Sequence, residues 1–591
     1  MKRLKSTDVV IVGSGFAGLV MAKEITSRTA LEVVVLERGP ARSPSKYVEE
    51  MDDIDILRVG LRQNPAEQTI TLRNSSAQTA VPLRSMASFH PGTGTGGSSE
   101  AWAGFGERFL PEHMVLATHL RERFGASRMP PDWTVRDWGI TYDQLENDYW
   151  RAEQLMGVSG KAGNLNGARI SGGNIFEGPR KQEFPNPPLT PTYSMGFWRQ
   201  AALDLGYHPY PMPSAIASQN YTNPYGVSRP GCFYSGYCIN HGCKSGAKAM
   251  PSSVLLPALE KQKNFTLRNN SWVRRIVHRD GQAEGVVYMD ENGQETLQPA
   301  ALVVVAAFTP NSVRLLYLSG IGDPYDPHTG KGTLGMNLTH QLGGGGGGIL
   351  VYNEPLNLFM TTSSLAYGVS DFEDLKDEAP EGVLRGGLFV GGAVQGYSGV
   401  NNFGRIPPGA ASRNWGSEWK KAAIQSWDRM GPGVGMSMDT FPYRQNYMDL
   451  DPTYTDKWGD PLLRFTLDYT DYEQRQFAYG ARMSARFAQK IAEVSKARFI
   501  PMGRGGGFRH YDGATYHTTH IQGGAIMGAA PDQSVLNTWL QHWKMPNLFV
   551  VGSNALPQTA SEHPTTTIVA LSYRAADGVI DRYLKRPGPI A

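Results

Sequence analysis

The sequence predicts a mixed fold, α/β in one part and α+β in another, with a Rossmann-like sheet in the α/β part. Three observations predict it. Near the N-terminus, DVVIVGSGFAGLVMAKEI reads as a buried strand (Val9 to Val12), a glycine turn and a helix. A second apolar run, Val33 to Leu36, ends in Glu37, 24 residues after Gly13. Near the other end, Leu548 to Val551 reads as a strand, followed by a loop and a helix that opens near Thr565 to Thr567, with Ile568, Leu571, Ala575 and Val579 on one face.

Gly13, Gly15 and Gly18 form G-x-G-x-x-G. In a strand–turn–helix setting these glycines permit the tight turn and let backbone and helix N-terminus meet a pyrophosphate. The acid at the end of the second strand accepts from a ribose hydroxyl. The motif alone does not separate NAD from FAD. Its position helps, because flavoproteins often split their FAD domain so that its last part returns at the C-terminus, and a strand and helix return here.

Bulk properties narrow the class. The 591 residues carry 57 basic and 54 acidic side chains, a net charge of +3, which makes no electrostatic case for nucleic acid. Glycine is abundant, 68 residues, and much of it falls in patterned loops, which points to close approach of backbone to a ligand. No run approaches the ~20 apolar residues of a membrane span. The opening MKRLKSTDVVIVGSG shows no apolar signal segment, which by itself reads as cytoplasmic but leaves room for export as the passenger of a partner subunit.

Further stretches then bear on the family: HPGTGTGGSSEAWAG (90–104), DWGITYDQLENDYWRAE (137–153), GVSGKAGN (157–164), VVVAAFTPNSVRLLYLSG (303–320), THIQGGAIMG (519–528) and SEHPTTTI (561–568). Together they resemble the glucose–methanol–choline (GMC) oxidoreductases, and more narrowly the flavoprotein subunits of gluconate 2-dehydrogenase, fructose dehydrogenase and glucoside 3-dehydrogenase. The resemblance runs from about Asp8 to Leu584. It implies a GMC fold: an FAD domain of separated segments, 1–185, 231–340 and 510–591, interleaved with a substrate domain of β-sheet and helices, 186–230 and 341–509. It further implies that Gly96, Gly97 and Ser98 pass beside the flavin ring and pyrophosphate, that Val273 faces the adenine, and that the helix opening at Thr565 points its N-terminus at the flavin. Some relatives attach FAD to a His just before the Trp of this loop. Here Ala101 precedes Trp102, so noncovalent FAD is expected.

Removing hydride from an alcohol needs a base for the hydroxyl proton. His520 matches the family's base, which precedes a glycine pair. His563 matches the second member, His or Asn in different relatives. The expectation is His520 as base and His563 as the group that orients the substrate oxygen. His517 and His542 are read as structural. Gln558, Glu562, Tyr516 and Trp539 lie near the pair in sequence, with their facing open.

All three cysteines, Cys232, Cys238 and Cys243, fall in GCFYSGYCINHGC (231–243). Three readings stand: buried free thiols, a zinc site completed by His241, or an iron–sulfur cluster. The family resemblance implies the last, a 3Fe–4S cluster on three thiolates. Such a cluster would relay electrons singly to a cytochrome, which favours a dehydrogenase over an oxidase. The same resemblance implies a small partner subunit that carries an export signal, and hence a periplasmic location by co-export. The expected substrate is a sugar or glycoside. No basic residue lies between His510 and Lys544, which mildly favours a neutral one. Residues 186–230, rich in Pro, Tyr and Asn, read as an irregular surface excursion, 471–497 as a core helix, and the glycine run 343–348 as a hinge or a close-packing segment.

Overall fold

The structure, a computed structural model, describes residues 1–43, 62–84, 89–236, 238–239, 241–344, 348–356, 360–392, 406, 409–426, 428–431, 434–501, 509–513 and 518–590. Tyr516, His517 and the middle of the glycine run lie outside them.

Five strands form the parallel heart of the molecule, in the order Phe265–Arg268, Val33–Leu36, Thr7–Val12, the second half of Glu295–Val305, and Met545–Val550. Their cores, VVIV, VVVL and LVVV, are almost continuous β-branched runs, as expected of strands covered on both faces. Val9, Val10, Ile11, Val35, Val303, Val304 and Val305 are fully buried. Register brings the chain's ends together: Val303 pairs with Val10 on one side and with Leu548 on the other. The first half of Glu295–Val305 turns to a different task, pairing antiparallel with Gln282–Met289, which pairs in turn with Trp272–Arg279.

Helix Phe16–Arg28 packs against helix Thr565–Asp577, which also packs against Tyr142–Met156. Glycine is required at two places here. Gly13 has φ +101°, and a Cβ on it would lie 2.5 Å from the Ala306 carbonyl oxygen; a Cβ on Gly18 would lie 2.1 Å from the Gly13 oxygen. The helix therefore sits directly on its own turn.

The second region centres on an antiparallel five-stranded sheet in the order Leu342–Gly344, Gly435–Met438, Leu388–Gly392, Ala366–Val369 and Tyr210–Pro211. Helix Asp471–Ser495 backs it. Thr470 caps that helix by accepting from the Tyr472 N–H, and Phe477, Phe487 and Ile491 are buried along it. A four-stranded sheet joins Ile70–Arg73 in parallel to Pro461–Thr466.

One expectation needs correction. Residues 186–230 are not irregular throughout: Tyr193–Asp204 is a helix whose Met195, Trp198, Ala201 and Ala202 are buried, packed on Asp471–Ser495. The spacing of those four residues is helical. The flanking prolines and asparagines mark its boundaries, not the character of the whole segment. Among the described residues no helix is long and apolar enough to cross a membrane.

Candidate active site

A cavity of about 540 Å³ opens at the carboxyl end of the parallel strands, where open α/β sheets hold ligands. Gly13, Gly15, Glu37, Gly97, Ser98, Val273, His520, His563 and Thr565 all line it. Gly18 and Gly96 stand behind that lining. Gly18 acts through helix packing, as above. Gly96 (φ +85°) donates its N–H to Ser14 Oγ at 3.1 Å.

At one end the lining is backbone. Gly15 precedes helix Phe16–Arg28, which has no side-chain cap and no acid in its first turn. Helix Thr565–Asp577 likewise begins without a side-chain cap, and Pro564, Thr565 and Ile568 line the cavity. Two helix N-termini from opposite ends of the chain thus present unsatisfied N–H groups and positive dipole ends to one space. A Cβ on Gly15 would meet nothing nearer than Gly96 O at 3.9 Å, and one on Gly97 nothing nearer than 3.8 Å, so the space beside both glycines faces the cavity. This fits a dinucleotide: an anionic pyrophosphate against the helix ends, an apolar wall at Val273 and Trp272, and a broad ring beside Gly97, Ser98 and the imidazoles.

Glu37 has a second job that its motif does not announce. Its Oε2 accepts from Ser14 Oγ (2.7 Å) and Ser14 N (3.1 Å), and its Oε1 from Gly39 N (2.9 Å) and Gly94 N (3.1 Å). One buried carboxylate therefore ties the glycine turn to the 92–98 loop.

At the other end the lining is side chain. The His520 and His563 rings lie 5.3 Å apart, nearly perpendicular at 88°. Gln341 fixes the first. Its Nε2 donates to the carbonyls of Ser561 (2.7 Å) and Glu562 (3.1 Å), so its Oε1 is the acceptor for His520 Nδ1 at 2.5 Å. The proton of neutral His520 is then on Nδ1, and Nε2 keeps a lone pair. Burial, with His563 alongside, pushes His520 down to about 3, so it is neutral at ordinary pH. His563 is held differently. Its Nδ1 donates to Glu107 Oε1 at 2.8 Å, and its ring stacks on Phe105 at 4.1 Å. One imidazole has an amide behind it and the other a carboxylate.

Sequence reasoning missed Gln341, Glu107 and Phe105. None belongs to a local motif, although Phe105 and Glu107 directly follow the 90–104 stretch and Gln341 precedes the glycine run. The open candidates lie elsewhere. Gln558 is buried and donates to the carbonyls of His113 and Arg136, Trp539 is sandwiched by Arg574 and Arg582, and Glu562 is buried away from the cavity. His542 is buried beside its own turn, where its Nδ1 accepts from Lys544 N at 3.2 Å.

The three thiols share one small apolar cluster with Ile216, Ala247 and Leu365. Cys238 Sγ accepts from Ser363 Oγ (2.9 Å) and Thr362 Oγ1 (3.2 Å), and Cys232 Sγ from Tyr234 N (3.4 Å). Burial, with the Cys238 and Cys243 thiols nearby, pushes Cys232 up to about 11. Among the described residues no group of three His, Cys, Asp or Glu side chains is close enough to hold a metal ion. The thiols fit a cluster in number and hydrogen-bonding surroundings, but not in ligand spacing. The loop does abut the cavity: Ile239 lines it, Cys243 and Ala101 pack on the same Met250, and buried Lys248 donates to the carbonyls of Trp102, Cys238 and His241.

A dinucleotide cradle joined to a histidine pair defines an oxidoreductase of flavin type. Residues 197–342 and 442–572 match the two family models described as GMC oxidoreductase. The gluconate 2-dehydrogenase flavoprotein of Pantoea cypripedii is 39% identical, covering 99% of this chain and 95% of that protein. The fructose dehydrogenase large subunit of Gluconobacter japonicus is 24% identical over 98% of both. Among solved structures, pyridoxine 4-oxidase from Mesorbium loti superposes with TM-score 0.60 at 17% identity, over 99% of this chain and all of that one, which shows the shared fold. The chain belongs to the GMC oxidoreductases and is an FAD-dependent oxidoreductase acting on CH–OH groups.

Proposed function

We propose that the protein is a dehydrogenase that oxidises a hydroxyl of a sugar-type substrate, with hydride passing to noncovalently bound FAD and electrons going on to an external acceptor. The observation that carries this reading is the imidazole pair, 5.3 Å apart, in the cavity that the glycine turn and both helix N-termini line. When bound, the flavin supplies a two-electron acceptor for the C–H bond. Residues of the chain do the rest. Gly13, Gly15 and Glu37 hold the nucleotide half, Gly96, Gly97 and Ser98 pass beside the ring, and Val273 meets the adenine. The Thr565 helix end favours negative charge on its neighbour. His520, locked by Gln341, offers the Nε2 lone pair to the hydroxyl proton. His563, held by Glu107, orients the substrate oxygen.

The test is anaerobic titration of the purified holoprotein with a substrate panel. Gluconate comes first, because the gluconate enzyme is 39% identical, and neutral sugars and glycosides follow. At least one should bleach the flavin, and in air that substrate should reduce a dye faster than it yields peroxide. Failure of every substrate would sink the proposal, and peroxide as the main product would turn it into an oxidase.

A finer part of the proposal is that Cys232, Cys238 and Cys243 would hold a 3Fe–4S cluster, which would supply a one-electron relay, although the described thiols stand outside metal-ligand spacing. It is supported by the clustering of the thiols, by the donors aimed at their sulfurs and by the contact of their loop with the cavity. Exposed Phe233, Tyr193 and Met360 stand beside that loop and suit a docking acceptor. On this reading a cytochrome takes the electrons, and a small subunit with an export signal carries the chain to the periplasm. Purification under argon should yield about three irons per flavin; flavin without iron would return the cysteines to plain thiols.

A further inference from the structure

Oxidation of an alcohol gives up a proton as well as a hydride, and the proton starts beside the imidazole pair. Behind His563 lies an unusual collection of groups. Glu107, Glu373, Asp439 and Glu562 are 4%, 1%, 2% and 3% exposed, and Arg385 and His113 are each 1% exposed. Among the described residues Arg385 is the permanent cation that meets this group, at Asp439: its Nε donates to Asp439 Oδ2 at 2.8 Å and its Nη2 to His113 Nε2 at 2.8 Å. His113 Nδ1 then faces Glu562 Oε2 at 3.8 Å. Ser370 Oγ donates to Glu373 Oε1 at 3.0 Å and lies 2.8 Å from Tyr210 Oη. Phe105, two residues before Glu107, packs on the small apolar cluster that holds Tyr210, and burial followed by Glu373, Glu107 and Glu562 pushes the Tyr210 hydroxyl up.

Four buried carboxyls against one guanidinium cannot all be ionised, because each uncompensated charge costs several kcal/mol. A group of this kind holds protons. Burial and neighbouring carboxylates push Glu562 and Glu373 well above the ordinary range, whereas the Arg385 guanidinium holds Asp439 below it. Glu107 Oε2, Glu562 Oε2, Glu373 Oε2 and Asp439 Oδ1 have no hydrogen-bond partner among the described residues. The cluster therefore has sites for an added proton, and Glu107 is its contact with the imidazole pair. Glu112 and half-buried Asp374, 3.9 and 3.6 Å from Arg385 Nη1, lie on the outer side, where Asp374 meets His119 at 2.8 Å.

We propose that the buried acid cluster of Glu107, Glu562 and Glu373 takes up the substrate's hydroxyl proton and keeps it inside the protein while the electrons are held there. The idea rests on the dehydrogenase reading. The C–H hydrogen leaves with its electron pair as hydride, which bound flavin would accept; the O–H bond breaks and its proton goes to the imidazole pair and through Glu107 into the cluster; the carbonyl forms. The hydride's negative charge and the stored proton would then lie side by side and compensate. Glu562 and Glu373 are positioning residues for this proton and do not touch substrate.

The test follows protons and flavin together. Weakly buffered holoprotein with a pH-indicator dye is mixed anaerobically with a substrate that bleaches the flavin. The wild type should release well under one proton per flavin bleached and should give up the remainder on reoxidation. E373Q and E562Q should release close to one proton in step with bleaching, and E373D should restore retention. A full proton from the wild type during bleaching, or identical release from all variants, overturns the proposal. Flavin absorbance per chain shows whether each variant has folded. A second readout needs no flavin: the infrared spectrum of the apoprotein should keep a carboxylic-acid band at neutral pH that weakens in E373Q and E562Q, and its absence also overturns the proposal. If no substrate bleaches the wild type, the dehydrogenase reading fails, and the storage role falls with it.

Discussion

At the glycine end of the cavity, Gly13, Gly15, Gly18 and Glu37 fall within one strand–helix–strand unit; at the imidazole end, Phe105, Glu107, Gln341, His520 and His563 come from four separate segments. The first end works through backbone: N–H groups, helix dipoles and missing Cβ atoms. The second works through side chains whose protonation is set by what lies behind them. Damage should differ accordingly. Substitution at the glycine end should abolish cofactor binding, whereas substitution at the imidazole end should leave binding intact and change rates.

The largest effect is expected from Gly13→Val. Its Cβ would lie 2.5 Å from the Ala306 oxygen in a backbone conformation that valine rarely adopts. The purified variant should be colourless, with no flavin absorbance and no activity. A yellow G13V protein would break the comparison, because the turn would then tolerate what its geometry forbids. His520→Ala comes next. It should bind FAD normally and lose ~10²–10⁴ in the rate of anaerobic flavin reduction. Loss of flavin in this variant would blur the distinction between the two ends.

What was legible in the sequence follows the same line. Gly13, Gly15, Gly18 and Glu37 could be read because their geometry depends on neighbours a few residues away. The strands could be read because both faces are apolar. The pairing of Val303 with both Val10 and Leu548 was implied only by a strand and helix returning at the C-terminus. His520 and His563 were found through resemblance, since nothing local sets one imidazole apart from another. Gln341 and Glu107, the partners that make the two imidazoles different, lie 179 and 456 residues from them, and no periodicity reports contacts at that separation. The helix Tyr193–Asp204 is hidden for another reason: the prolines and asparagines on either side of it dominate the composition of 186–230.

Glu107→Gln sharpens the contrast inside the imidazole end. The amide can still accept from His563 Nδ1, so geometry should survive while the charge is lost. A hydrogen bond to a charged acceptor is worth about 1 kcal/mol more than one to a neutral amide, roughly tenfold in an equilibrium or a rate. Flavin reduction should slow by about tenfold, with FAD content unchanged. A loss as large as that of His520→Ala would make Glu107 indispensable to the geometry as well.

The smallest effect concerns stability, and it separates the two imidazoles by proton count alone. His520 is pushed from 6.5 to about 3 in the folded protein, chiefly by burial. Between those values the unfolded chain binds the proton and the folded one does not. The contribution to stability is therefore intact above pH 6.5, falls as pH drops through this window, and is fully lost below about 3. His340 and His542, both lowered to about 4, act with the same sign, so the wild type carries three such contributions. Asn at position 520 keeps a donor for Gln341 but cannot titrate. Between pH 7 and pH 5 the melting temperature of apo H520N should fall by about 2 °C less than that of the wild type. Equal slopes would mean that His520 takes up its proton in the folded state, and its resemblance to the carboxylate-backed His563 would then be closer than their surroundings imply.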